Sequence, residues 1–140
     1  MMSLTASMEN YLKAICILKR NCETVRCVDI AHEMGVSLPS VSRAVKELSK
    51  MKHLTRESDG SISLTSSGER IAEEICERHT FFTEKLIDAG VDPATASKEA
   101  CRIEHSVSEE SFRKLRNAIK RSWENAYAVQ PINRLCNTND

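Results

Sequence analysis

Apolar residues recur at three- and four-residue steps from Thr5 to Arg20, through Met8, Tyr11, Leu12, Ile15, Cys16 and Leu18. That period predicts an amphipathic helix, with Thr5 or Ser7 as its cap. A second helical run from about Val28 to Met34 stops at Gly35, a residue suited to the left-handed position after a helix. Ser37 then precedes Leu38-Pro39, a cap followed by proline in the first turn, and the helix so opened carries Val41, Val45, Leu48 and Met51 on one face. A short helix, a glycine turn and a second helix form a helix-turn-helix pattern. Behind it the period changes to two. Leu54 to Glu57 and Ser61 to Thr65 alternate apolar and polar positions around Ser58-Asp59-Gly60, which predicts a β-hairpin placed as a wing.

The helical period then returns. Thr65, Ser66 or Ser67 caps a long helix through Ile71, Ala72, Ile75, Cys76, Phe82 and Leu86 to Ala89-Gly90. Asp92-Pro93 opens a further helix to about His105, and Ser108-Glu109-Glu110 a last one carrying Phe112, Leu115, Ile119 and Trp123. Beyond Glu124 the periodicity weakens. The expected fold class is mainly α: a winged helix-turn-helix DNA-binding domain over 1–72, an all-helical metal-binding and dimerisation domain over 73–125, and an irregular tail over 126–140.

Composition alters this picture only locally. The chain has 140 residues, with 20 Lys and Arg against 20 Asp and Glu, and its longest apolar runs fall short of a bilayer span. No membrane partner, no secretory leader and no small organic substrate are expected, and the compartment reads as cytoplasmic. The six cysteines form no close CxxC pair and are expected to be reduced. Zero net charge argues against nucleic acid until it is divided. Between Ser37 and Arg56, five basic residues (Arg43, Lys46, Lys50, Lys52, Arg56) face only Glu47. On a recognition helix this is where a duplex docks. Ser37, Ser40, Ser42 and Arg43 are candidate contacts to phosphates or base edges, Pro39 to thymine methyls, and Arg26, Lys46 and Lys52 to the phosphate backbone.

The sharpest chemical feature is Cys101-Arg102-Ile103-Glu104-His105. Steps of three and four put a thiol, a carboxylate and an imidazole on one face of a helix, close enough to share one ion. His79, on the preceding helix, is available as a fourth ligand. No oxyanion-hole or substrate motif accompanies the Cys–His pair, so an enzyme is not expected.

With these motifs the chain resembles the DtxR/MntR family of iron- and manganese-dependent repressors from about Ser7 to Trp123. The resemblance is carried by Ser7-Met8-Glu9-Asn10-Tyr11-Leu12, the Asp29 to Val45 block, Leu64-Thr65-Ser66-Ser67-Gly68 and Glu99 to His105. It implies a homodimeric repressor of metal homeostasis that binds a palindromic double-stranded operator when loaded with metal. It also implies a ligand set of Cys101, Glu104 and His105 joined by His79 and Asn10. The thiolate places Fe²⁺ first, ahead of Mn²⁺ or Zn²⁺. Asn10 stands where the family has Asp or Met, and Lys13 where manganese-responsive members have a carboxylate. Thr83 and Ser97 replace two ligands of an accessory site, so one metal per protomer is expected. The alternative is a winged-helix factor without metal control that responds to thiol oxidation.

Overall fold

Helix starts follow the capping residues. The Thr5 hydroxyl accepts the Met8 amide at 3.2 Å and opens α1 (Ala6–Asn21). Arg26 opens α2 (Cys27–Met34), where the Asp29 carboxylate reaches back to the Arg26 amide at 2.9 Å. Gly35, at φ +66°, ends α2, and the Val36 amide returns to the Ala31 carbonyl. Ser37 caps α3 (Leu38–Lys50) by accepting the Ser40 amide. The chain then forms a hairpin of β1 (Leu54–Arg56) and β2 (Ile62–Leu64), antiparallel, with Leu54 opposite Leu64 and Arg56 opposite Ile62. The computed structural model describes residues 4–129.

Thr65 caps α4 (Ser66–Asp88), and Asp92 caps α5 (Pro93–Ile103) through the Thr95 amide at 3.2 Å. Helix α4 packs against α1 on one side and α5 on the other. The core joins Leu12 and Ile15 of α1, Ile30 of α2, Val41, Val45 and Leu48 of α3, and Leu54 and Ile62 of the hairpin. Val25 adds a bridge outside the predicted elements: its carbonyl accepts the Ile62 amide at 2.7 Å, extending the wing by one residue's width. At the foot of α4, Gly68 lies so near the turn after α3 that a β-carbon there would sit 1.9 Å from the His53 carbonyl oxygen.

The described residues divide into two units, the first closing at His105 and the second opening at Ser106. The second holds α6 (Glu109–Val129), whose start is capped by the Ser108 hydroxyl accepting the Ser111 amide at 3.1 Å. Its surface carries an ion pair one turn apart, Glu110 with Lys114. Two expectations are corrected. The irregular tail expected from residue 126 is helical as far as Val129, because Ala126 and Ala128 favour helix and the first breaker is Pro131; residues 130–140 lie outside the described part. Helix α5 ends at Ile103 rather than near His105, with Glu104 as its C-cap. Among the described residues no helix is long and apolar enough to cross a membrane.

Candidate metal centre and DNA-reading face

Cys101 occupies the last turn of α5, Glu104 caps that helix, and His105 stands in the turn beyond it. Glu104 keeps helical backbone angles (φ −57°, ψ −27°) and its amide still bonds the Ala100 carbonyl at 2.9 Å, so the helical spacing of Cys101 and Glu104 carries one residue past the end of α5, and His105 follows in the turn. One donor atom from each of Cys101, Glu104 and His105 lies within 4.8 Å of the other two. A soft thiolate, a carboxylate and an imidazole at that separation suit a single divalent transition metal.

Glu104 organises the cluster. Its side chain is fully buried, and a carboxylate withdrawn from water needs compensating charge or hydrogen bonds. Oε1 accepts from the Lys13 ammonium at 2.8 Å and lies 3.3 Å from His105 Nε2, while Oε2 lies 2.8 Å from His79 Nδ1. The buried Arg78 guanidinium donates to the Glu104 carbonyl at 3.2 Å. His79 thus meets the trio at the second oxygen of the Glu104 carboxylate. Its Nε2 lies 3.3 Å from the Ser97 hydroxyl.

From α1, Asn10 brings Oδ1 to 2.8 Å from His105 Nε2, and Glu9 brings Oε1 to 3.0 Å from His105 Nδ1. A carboxylate at Nδ1 orients the ring and directs the other nitrogen into the cluster. Asn10, expected as a ligand, thus has its amide oxygen against the His105 ring. Glu9 was missed, although its position three and four residues from Leu12 and Lys13 on one helix face was available as a signal. Lys13, standing where a carboxylate would be in manganese-responsive members, is ion-paired within the cluster, with Nζ 4.0 Å from Cys101 Sγ.

The five cysteines among the described residues are all free thiols. Burial pushes the Cys76 thiol above its ordinary value, and the neighbouring Cys16 adds to the effect.

On the other face, Ser37, Pro39, Ser42, Arg43, Lys46 and Lys52 are all exposed. Ser40 is half-buried, its hydroxyl 2.8 Å from that of Ser37. Apolar Val28, Val36 and Leu38 are exposed beside them. Lys52 holds a left-handed backbone at φ +64°, and its carbonyl accepts from the Thr65 and Ser67 hydroxyls. Arg26, expected as a phosphate contact, is also exposed, and it reaches the wing. Its guanidinium donates to the Asp59 carbonyl in the wing turn and pairs with the Asp59 carboxylate at 4.0 Å. The Ser61 hydroxyl and amide hold that carboxyl below its usual range, with Arg26 contributing.

Two family profiles match. One, described as the iron dependent repressor N-terminal DNA binding domain, covers residues 3–61. The other, the iron dependent repressor metal binding and dimerisation domain, covers 65–127. Among curated relatives, the transcriptional regulator MntR of Escherichia coli O6:H1 is 36% identical over 104 residues, covering 74% of this chain and 67% of its own. The HTH-type transcriptional regulator MntR of Shouchella clausii is 28% identical over 97% of this chain and 95% of its own. Among solved structures, the manganese regulator SloR superposes with a TM-score of 0.73 at 27% identity, over 85% of this chain and 55% of that one. IdeR of T. acidophilum gives a TM-score of 0.68 at 26% identity, over 86% and 56%. The chain therefore spans little more than half the length of these two solved relatives.

Proposed function

This chain belongs to the DtxR/MntR family of iron- and manganese-dependent repressors, and from that premise we propose that it represses transcription by binding DNA in response to a divalent metal. Cys101, Glu104 and His105 would hold the metal, with Asn10 and His79 completing the set. A bound divalent ion would supply the positive charge that these already adjacent donors share. The single observation that carries the reading is the 2.8 Å approach of Asn10 to His105. It joins α1, which shares a core with α2 and α3, to the end of α5. Ordering Asn10 and Glu9 against His105 fixes α1, and with it the placement of the α3 face that reads DNA. Ser37, Pro39, Ser40, Ser42, Arg43, Lys46 and Lys52 would meet the duplex, while Arg26 would steady the wing that flanks it.

The reading extends to a cytoplasmic homodimer on a palindromic operator, since a twofold protein presents two recognition helices to two half-sites. The proposed division is a DNA-binding part over 1–72 and a metal-binding and dimerisation part over 73–125. The metal is narrowed from two directions. The Cys101 thiolate favours Fe²⁺ or Zn²⁺ over Mn²⁺, whereas SloR, one of the structural relatives, is a manganese regulator. The alternative is a winged-helix factor that responds to thiol oxidation; burial raises the half-buried Cys76 thiol, which disfavours that residue as the sensor, whereas Cys22 is exposed.

The test selects operator-like duplexes with the metal-loaded chain, then measures their affinity with Fe²⁺, Mn²⁺, Zn²⁺ and chelator. Affinity should fall at least about tenfold on chelation, the scale of an ordinary allosteric coupling, and His105→Ala should bind weakly with or without metal. Equal binding under all conditions would sink the proposal.

A further inference from the structure

We propose that Lys13 is a resident cation of the ligand cluster: its ammonium neutralises Glu104 in the metal-free protein, and a metal must displace it from that carboxylate to bind. The inference rests on the reading that the trio holds a divalent metal, and it explains how this chain sets the strength of that binding.

Three observations carry it. The ammonium sits 2.8 Å from Glu104 Oε1, the same oxygen that lies 3.3 Å from His105 Nε2, and 4.0 Å from Cys101 Sγ. Lys13 therefore faces two of the three donors a metal would use. Its side chain is 15% exposed and that of Glu104 is 0% exposed, so the pair is not a solvated surface bridge whose partners separate at little cost. Lys13 also lines a cleft of about 660 Å³ with Ile17, Arg20, Ser97 and Arg102. The displaced ammonium has that open space to move into.

The chemistry fixes the direction of the effect. An ammonium and a divalent cation on one carboxylate oxygen repel, and the oxygen's lone pairs cannot serve both fully. Metal binding must therefore break a buried ion pair, which raises the metal concentration at which the site fills. The same pair keeps a buried carboxylate neutralised when no metal is present, so the apo protein holds its donors assembled at the expense of affinity.

The decisive experiment titrates the full chain, wild type and Lys13→Met, with Co²⁺ and Mn²⁺ by calorimetry, following Co²⁺ also through its thiolate charge-transfer absorption. Lys13→Met should bind on the order of tenfold tighter or more, as expected when a charge competitor is removed from a buried site. Lys13→Arg, which keeps the positive charge at the carboxylate, should bind metal more weakly than Lys13→Met. Unchanged or weaker binding by folded Lys13→Met overturns the inference. A second readout uses the wild type alone, with an acylating reagent and mass spectrometry. Mn²⁺ should raise modification of Lys13 relative to the exposed Lys19 on the same helix; unchanged or lower modification overturns the inference even if Lys13→Met does not fold. Binding that is lost in His105→Ala but indifferent to Lys13→Met leaves the metal reading standing and removes this one. Binding by Lys13→Met but not by wild type would show Lys13 closing a site the trio can form and would remove the reading of the wild type as metal-responsive; no binding by wild type or Lys13→Met removes both.

Discussion

Glu104 is the residue on which both charge and architecture converge. Its carboxylate is closed to water and faces Lys13, His79 and His105, while its carbonyl is held by Arg78. Removing one partner of a buried ion pair strands the other, at a cost of roughly 3–5 kcal/mol. Glu104→Gln, which keeps the shape and discards the charge, should therefore lower the metal-free unfolding free energy by about 3 kcal/mol in a denaturant titration. Full stability in that variant would mean the ion pair contributes nothing. At this scale the sequence was informative where chemistry is local. Cys101, Glu104 and His105 fall within five residues, and their types alone suggest a metal. Glu9 and Lys13 stand more than 90 positions from their partners His105 and Glu104. No periodicity connects such distant residues, so their roles emerge only when α1 is laid against the rest of its unit.

Elements were legible where a capping side chain announced them. Thr5, Ser37, Thr65 and Asp92 each accept an amide of the first turn they precede. The Val25 bridge was not legible, because one extended residue has no alternation to read. Nor was the end of α5, where the periodic positions run on through a residue that has already become the cap. Gly68 offers a test in which two effects oppose. Alanine at a helical glycine ordinarily gains up to about 1 kcal/mol. Its β-carbon would here lie 1.9 Å from the His53 carbonyl oxygen, on backbone that cannot rotate away. Overpacking of this kind costs about 1–3 kcal/mol or more. Gly68→Ala should accordingly lower the thermal midpoint by several degrees, and a rise would show that the turn after α3 yields easily.

At the scale of the whole chain, equal numbers of acidic and basic residues conceal a local excess of positive charge over α3 and the hairpin. DNA affinity should then depend on salt through the few cations that face the duplex. Arg43, Lys46 and Lys52 are exposed there, and three phosphate contacts per protomer give a slope of about −3 in log affinity against log salt. A dimer should show about twice that. Neutralising Lys46 should reduce the slope by about one per protomer, and an unchanged slope would remove it from the interface. The Arg26 contact with Asp59 bears on how this surface carries load. A hairpin held only at its base behaves as a cantilever and bends when its tip is pushed. Here the tip is propped against the first residue of the helix-turn-helix, which turns the cantilever into a braced frame. If a phosphate backbone presses on the wing, that prop would pass part of the load to α2, so a residue inserted into the wing turn should be felt as misalignment of the reading helix.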